Sequence, residues 1–389
     1  MFNKVFFLLF ISIQVSAQTF KTMIRLPDTG ANTSYTNTFG EDNDYNINIP
    51  TFINNGDGTI TDTITGLMWQ GLDGGEMRIE NAIAYCDTLN LGGFTNWRLP
   101  TAQESFSILN MQNVNPAINT TYFPNNNAEY WWTSERQAND TNKIWVTNAG
   151  GGIGNHQRTE TVSAGGTKKF QVRAVRDVQA VPIVIAHFTD NGDSTITDNL
   201  TNLVWQKFPN TTAQSWEQAL AYSENLTLAN TTDWRLPNIK ELQSLNDETV
   251  IQPSVTLPYF QNIGVKKYWS STSLPNQTTK AWYWDTQFGI TTYDIKTNLN
   301  YVVCVKTKST IATSITSLDS RNTIEVSPIP FSNFIHIKNI QPDKVISLIN
   351  LQGKIIYCGM EIEKQNFSNL TTGMYFLKIE NSTIQLLKN

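Results

Sequence analysis

The chain has 389 residues, 40% hydrophobic and 11% aromatic, which excludes a disordered chain and leaves room for two or three domains. Only 16% are charged, the net charge is −5 and no dense Lys/Arg tract occurs, which argues against nucleic-acid binding by phosphate neutralisation. Three cysteines, Cys86, Cys304 and Cys358, are too few for a disulfide scaffold or a cysteine zinc cluster.

In chain order, Lys4 precedes an apolar run from Val5 to Ile11, and Val15-Ser16-Ala17 supplies small residues before Gln18. This predicts a secretory signal peptide over residues 1–17, too short to span a bilayer, and no later segment is apolar enough to do so. Residues 18–50 are rich in Asn, Thr and Asp and lack periodicity. They read as a leader that packs partly on the first of two repeats.

Residues 51–177 and 187–306 are two copies of one unit. Asn55-Gly56-Asp57-Gly58-Thr59-Ile60-Thr61-Asp62 returns as Asn191-Gly192-Asp193-Ser194-Thr195-Ile196-Thr197-Asp198. Trp69-Gln70 returns as Trp205-Gln206, Trp97-Arg98-Leu99-Pro100 as Trp234-Arg235-Leu236-Pro237, and Trp145 as Trp282. A near-constant offset over so long a stretch marks a duplicated folding unit, not a short solenoid repeat. The short Val181-Pro182 connection implies that the two units touch.

Each copy opens with short strands parted by Asn-Gly, Asp-Gly or Thr-Gly turns. A helix comes next in each. Ile79, Ala82, Ile83, Cys86 and Leu89 fall at helical spacing in the first copy, and Trp216, Ala219, Leu220, Ser223 and Leu226 in the second. Thr101-Ala102-Gln103-Glu104 and Asn238-Ile239-Lys240-Glu241 have the capping-box form and predict a second helix. Strands are expected around Trp131-Trp132-Thr133, Ile144-Trp145-Val146 and residues 172–176, and at their counterparts near Trp269, Trp282 and Cys304. Each unit therefore reads as α+β, with two helices and short twisted antiparallel strands. Residues 307–322 form a Ser/Thr-rich linker, and 323–389 a third unit.

As an ordered set these motifs resemble the Lcl C-terminal family, named after the C-terminal domain of a bacterial collagen-like adhesin. Trp-Arg-Leu-Pro-Thr followed by Glu also resembles an element of sulfatase-modifying-factor domains. That resemblance implies a C-type-lectin-like fold for both units. In the third unit, Pro328-Ile329-Pro330-Phe331 leads into Phe334-Ile335-His336-Ile337, and Thr372-Gly373-Met374-Tyr375-Phe376-Leu377 precedes a Lys-containing tail. It resembles a type IX secretion C-terminal sorting domain, a small all-β sandwich. The resemblance implies a secretion translocon as partner through residues 323–389 and a processed protein that is secreted or held at the outer-membrane surface.

The Lcl resemblance further implies one cysteine on the first helix and another in the closing strand of each unit. The first copy keeps Cys86 but has Ala174, while the second keeps Cys304 but has Ser223. Two arrangements stay open. Each unit has lost its own bridge, or the closing strands are exchanged and Cys86 pairs with Cys304.

Flat aromatic faces suit sugar rings, but Trp residues shared by both copies are expected in the core. Trp284, which replaces Thr147 of the first copy, is the candidate ligand-facing aromatic, with its neighbour Tyr283. Arg98 and Arg235 are candidates for a ligand contact or for structural ion pairs. Asp57, Asp62, Asp193 and Asp198 invite a calcium reading, but their spacing does not fit a helix-flanked calcium loop, so no cofactor is expected. With only three histidines and no nucleophile elbow, zincin motif or phosphate loop, the expectation is a protein without catalysis. The reading is an exported binding protein engaging an extracellular glycan or a surface protein, adhesin-like, with a structural surface protein as the alternative and an unrecognised enzyme as the third.

Overall fold

The computed structural model describes residues 23–124, 129–162, 170–178, 186–260 and 262–308, and in the C-terminal unit 325–328, 330–338, 344–350, 354–379 and 382–388. The signal peptide, the Val181-Pro182 connection and most of the linker lie outside the described residues. The chain divides into two compact units, Met1–Lys308 and Ser309–Asn389.

In the first copy, β1 (Phe52–Asn54), β2 (Thr59–Asp62) and β3 (Leu67–Gln70) precede α1 (Ile79–Thr88) and α2 (Ala102–Ser107). Then come β4 (Tyr130–Gln137), β5 (Asp140–Asn148), β6 (Ile153–Gln157), β7 (Phe170–Gln171) and β8 (Val175–Asp177). The second copy repeats the plan as β9 (Phe188–Asp190), β10 (Thr195–Asp198), β11 (Leu203–Gln206), α3 (Trp216–Glu224), α4 (Ile239–Ser244), β12 (Lys267–Ser273), β13 (Lys280–Asp285), β14 (Ile290–Ile295) and β15 (Val305–Thr307).

The turns form for local reasons. Asp62 Oδ1 accepts hydrogen bonds from the Ile64 and Thr65 amides at 2.9 and 3.2 Å, closing the β2–β3 hairpin, and Asp198 does the same in the second copy. The repeated Trp-Arg-Leu-Pro-Thr/Asn-x-x-Glu motif is a helix start. Glu104 accepts from the Thr101 amide at 2.8 Å while Thr101 Oγ1 accepts from the Glu104 amide at 3.1 Å, a reciprocal cap that Asn238 and Glu241 reproduce.

The expected C-type-lectin-like α+β arrangement is not what forms. The protein is mostly β. The capping boxes start helices of only six residues, buried throughout, and the longer helices have ten and nine. The shorter ones pack on strands, α2 on β4 and β5 and α4 on β12 and β13. Ile83, counted on the apolar face of α1, is 46% exposed.

The two copies are fused, not merely adjacent. One seven-stranded sheet runs β12-β13-β14-β6-β5-β4-β7, with β14 and β6 joined antiparallel at Thr291 and Ile153. Around this seam α2 packs on α4, where Gln103 Nε2 donates to the Gln243 carbonyl. Two apolar cores draw on both copies. One holds Trp69, Phe123 and Val175 with Trp205, Tyr268 and Trp284, and the other Phe106, Trp131 and Trp145 with Leu274 and Trp282. Each copy also has a core of its own, around Trp97 and Trp132 in the first and Trp234 and Trp269 in the second.

The closing strands are not exchanged: β8 pairs with β3 and β15 with β11, each within its own copy. Cys86 and Cys304 are free buried thiols in separate cores, which removes the bridge between units.

The C-terminal unit contains only short strands and a single 3-10 turn among its described residues. β16 (Glu325–Ser327) pairs with β17 (His336–Lys338). β18 (Ile346–Asn350), β19 (Ile355–Gly359), β20 (Gly373–Ile379) and β21 (Ser382–Lys388) form a sheet in the order β19-β18-β20-β21. Phe331, Ile337, Leu348, Phe367 and Leu377 belong to its core.

Candidate functional site

The leader is a strap across both copies. On the first, the Ile24 amide donates to the Thr65 carbonyl at 2.8 Å and the Thr29 carbonyl accepts from the Met111 amide at 2.9 Å. On the second, Thr36 Oγ1 donates to Glu217 at 2.8 Å and Tyr45 Oη to Glu224 at 2.5 Å. Thr272 Oγ1 donates to Asp42 Oδ2 at 2.6 Å, and Ser273 Oγ donates to Glu41.

Beneath the strap lies a buried charged cluster. Asp42 also accepts from Thr29 Oγ1 at 2.8 Å. Asp28 accepts from the Thr29 amide at 2.8 Å, the Ile47 amide at 3.2 Å and Asn238 Nδ2 at 3.3 Å. Lys240 Nζ donates to the carbonyls of Asp28 and Ser107 at 2.8 and 2.7 Å, tying the strap to α2 and α4 together. Burial foremost pushes Asp28 up to about 6 and Asp42 up to about 7, with neighbouring carboxylates adding to both. Burial likewise lowers Lys240 to about 8, against the pull of Asp28, Asp62 and Asp42.

Where the strap passes the first copy it leaves a cleft of about 210 Å³. Asp28, Gly30, Asn32, Asn46, Ile49 and Pro50 form the strap wall, and Phe52, Ile108, Leu109, Asn110 and Asn119 the opposite one. Gly30 has φ +81°, and a Cβ there would sit 2.8 Å from Asn110 Nδ2. Only glycine lets the strap pass so close to that amide.

The residues singled out from the sequence lie elsewhere. Trp284, expected to face a ligand, is fully buried against Tyr268, with ring centroids 6.2 Å apart. Its face of β13 is covered by the core common to both copies, and this corrects the ligand reading. Tyr283 is buried in the second copy's own core, edge-on to Trp269. All eleven tryptophans are buried, none more than 3% exposed, so none offers a face to a sugar.

Arg98 forms a forked pair with Glu104 at 2.7 and 2.8 Å and reaches Asp177 at 3.3 Å. Arg235 is buried and forks onto Glu241 with both contacts at 2.6 Å. Each guanidinium thus locks the glutamate that caps the following helix.

Asp57 and Asp193 each accept from the amide and hydroxyl of the threonine two residues on, capping a tight turn. Among the described residues no group of three or more His, Cys, Asp or Glu is placed to hold a metal ion. Sequence reasoning missed Asp42 of the buried cluster, Asn110 and Asn119 of the cleft, and Asp28, which belongs to both, because these sites are assembled from distant segments with no shared periodicity. The one available signal was Gly30, set among Asp, Asn and Thr.

A duplicated, strapped β unit followed by a separate all-β unit is the class of protein this architecture defines. Residues 58–176 and again 194–306 match the Lcl C-terminal domain, and the chain belongs to that family. Residues 325–389 match the secretion system C-terminal sorting domain, so the protein is exported to the cell surface or secreted. No helix among the described residues is long and apolar enough to cross a membrane. No curated protein matches the chain.

Proposed function

We propose that this exported protein is a non-catalytic binding protein of adhesin type, and that the cleft between strap and first copy holds an extracellular glycan. The observation that carries the reading is the cleft's lining, with four asparagines and one aspartate set around Phe52, Ile108 and Leu109. Amides and a carboxylate match hydroxyl groups as donors and acceptors, while an apolar floor suits the C–H face of a sugar ring. The buried thiols argue against a nucleophilic role for Cys86 and Cys304, since burial pushes both up to about 12.

A glycan-array screen of the purified protein, repeated with Asn110→Ala, tests the reading. Binding that the substitution weakens supports it. Absence of binding to any glycan refutes it and returns the protein to a purely structural or protein-binding surface role.

A further inference from the structure

The cleft also restricts the charge of what it can hold, a restriction that rests on the glycan reading. Among its described lining residues none is Lys, Arg or His, and its one ionisable group is Asp28. The buried cation bonded to the Asp28 backbone, Lys240, has its ammonium engaged by two carbonyls, those of Asp28 and Ser107. A sulfate or uronate entering here would lose water beside a carboxyl group and gain no counter-charge, which is strongly unfavourable.

Uncharged hydroxyls meet the opposite situation. Asn110 Oδ1 accepts from the Gln112 amide and Asn119 Oδ1 from the Thr121 amide, which fixes both side chains. Their Nδ2 groups carry no hydrogen bond among the described residues. Asn46 is exposed at the rim, with no hydrogen bond of its side chain among the described residues. The volume falls below the roughly 300 Å³ at which pockets for drug-sized ligands begin. It suits one ring, not a long chain.

We propose that the cleft binds a single uncharged sugar ring through its hydroxyls and rejects sulfated and uronic-acid glycans. Asn110 and Asn119 donate to ring hydroxyls through Nδ2, and the Asn46 side-chain oxygen at the rim accepts from them. Gly30 keeps the strap close enough to Asn110 to shape the site.

The test is titration calorimetry of the purified full chain with three probes, a neutral oligosaccharide set, a sulfated glycosaminoglycan oligosaccharide and a polyuronate oligosaccharide, each at low and high salt. The expected result is neutral binding that is insensitive to salt and about tenfold weaker in Asn110→Ala, the loss of one hydrogen bond. Gly30→Ala should weaken it at least as much. The charged probes should not bind, and Asn46→Lys, which adds a cation at the exposed rim, should make the sulfated probe bind.

Sulfated or uronate binding that Gly30→Ala abolishes would overturn the charge restriction while leaving the glycan reading standing. Neutral binding unchanged by both Asn110→Ala and Gly30→Ala would overturn the assignment to this cleft. Failure of every saccharide would overturn both readings, and a circular dichroism spectrum matching wild type keeps a folding defect from imitating any of these results.

Discussion

Ser223→Cys should create a disulfide with Cys304. The Cys304 sulfur and the Ser223 hydroxyl lie 3.3 Å apart, both residues fully buried and separated by 81 positions. A bridge needs the two sulfurs about 1.3 Å closer, within reach of small side-chain rotations. Closing a loop of that length is worth about 4.5 kcal/mol in the chain-entropy model. Against it stands the lost hydrogen bond from Ser223 Oγ to the Ala219 carbonyl at 2.9 Å, about 1 kcal/mol. A net gain of about 3.5 kcal/mol should raise the melting temperature of a unit this size by about 6 °C under oxidising conditions and not under reducing ones. Thiol titration under denaturing conditions should fall by two groups relative to the reduced variant. The first copy offers an independent repeat of the experiment. Ala174 occupies the place of Cys304, its amide donating to Gln70 Oε1 at 3.1 Å as the Cys304 amide does to Gln206 Oε1 at 3.1 Å, so Ala174→Cys should pair with Cys86. If Ser223→Cys oxidises readily elsewhere but retains both core thiols, the reasoning from lost half-bridges fails.

Trp284→Ala and Trp282→Ala should each cost about 3–5 kcal/mol in denaturant unfolding, since both empty a packed core; a mild effect of Trp284→Ala would return it to the surface. Stability should fall as pH rises from 5 to about 7.5. Asp28 and Asp42 are raised to about 6 and about 7 from 3.8, so their contribution is complete below 3.8 and is lost as pH climbs through those values. Lys240 acts in the other direction, contributing above 10.5 and losing it as pH drops through about 8, above the window tested. Thermal melts against pH should flatten in Asp42→Asn, and an unchanged slope would locate the dependence elsewhere. A chelator should leave the melting temperature unchanged, because the turn aspartates are satisfied by amides and hydroxyls; a drop of several degrees would reveal a bound metal. Intact-mass measurement of the surface form should show loss of the C-terminal unit, residues 323–389, and its retention would contradict processing.

Motifs that act within a few residues were legible in the sequence. The capping boxes, the Asn-Gly turns and the tryptophan-centred strands β4, β5, β12 and β13 all form where the patterns place them. What was hidden depends on partners far along the chain. β6, Ile-Gly-Asn-His-Gln, has no alternation to mark it, yet it and β14 carry the seam between the copies. The lectin-like expectation failed for the same reason, since two well-capped helix starts say nothing about how short the helices will be. Trp284 was misread because alternation fixes the side of a strand and not what covers that side. In the leader, Asp28 and Asp42 sit in polar surroundings that look solvated, whereas their partners Asn238 and Thr272 lie in the other copy.

The strap sets the order in which the chain can be completed. Besides Thr29 within the strap, Asp42 finds a second hydroxyl partner 230 positions later, at Thr272, and Glu41 finds Ser273 at 232. Ile24 and Thr29 meet the first copy early, whereas the later part of the strap, from Thr36 to Tyr45, lacks its partners until most of Met1–Lys308 has been made. A nascent chain lacking the segment from β12 to β15 also lacks Tyr268, Trp284, Val303 and Val305 of one common core and Leu274 and Trp282 of the other, so neither common core is closed until that segment exists. Long-range closure of this kind ties completion of the strap and of both common cores to the presence of the whole unit.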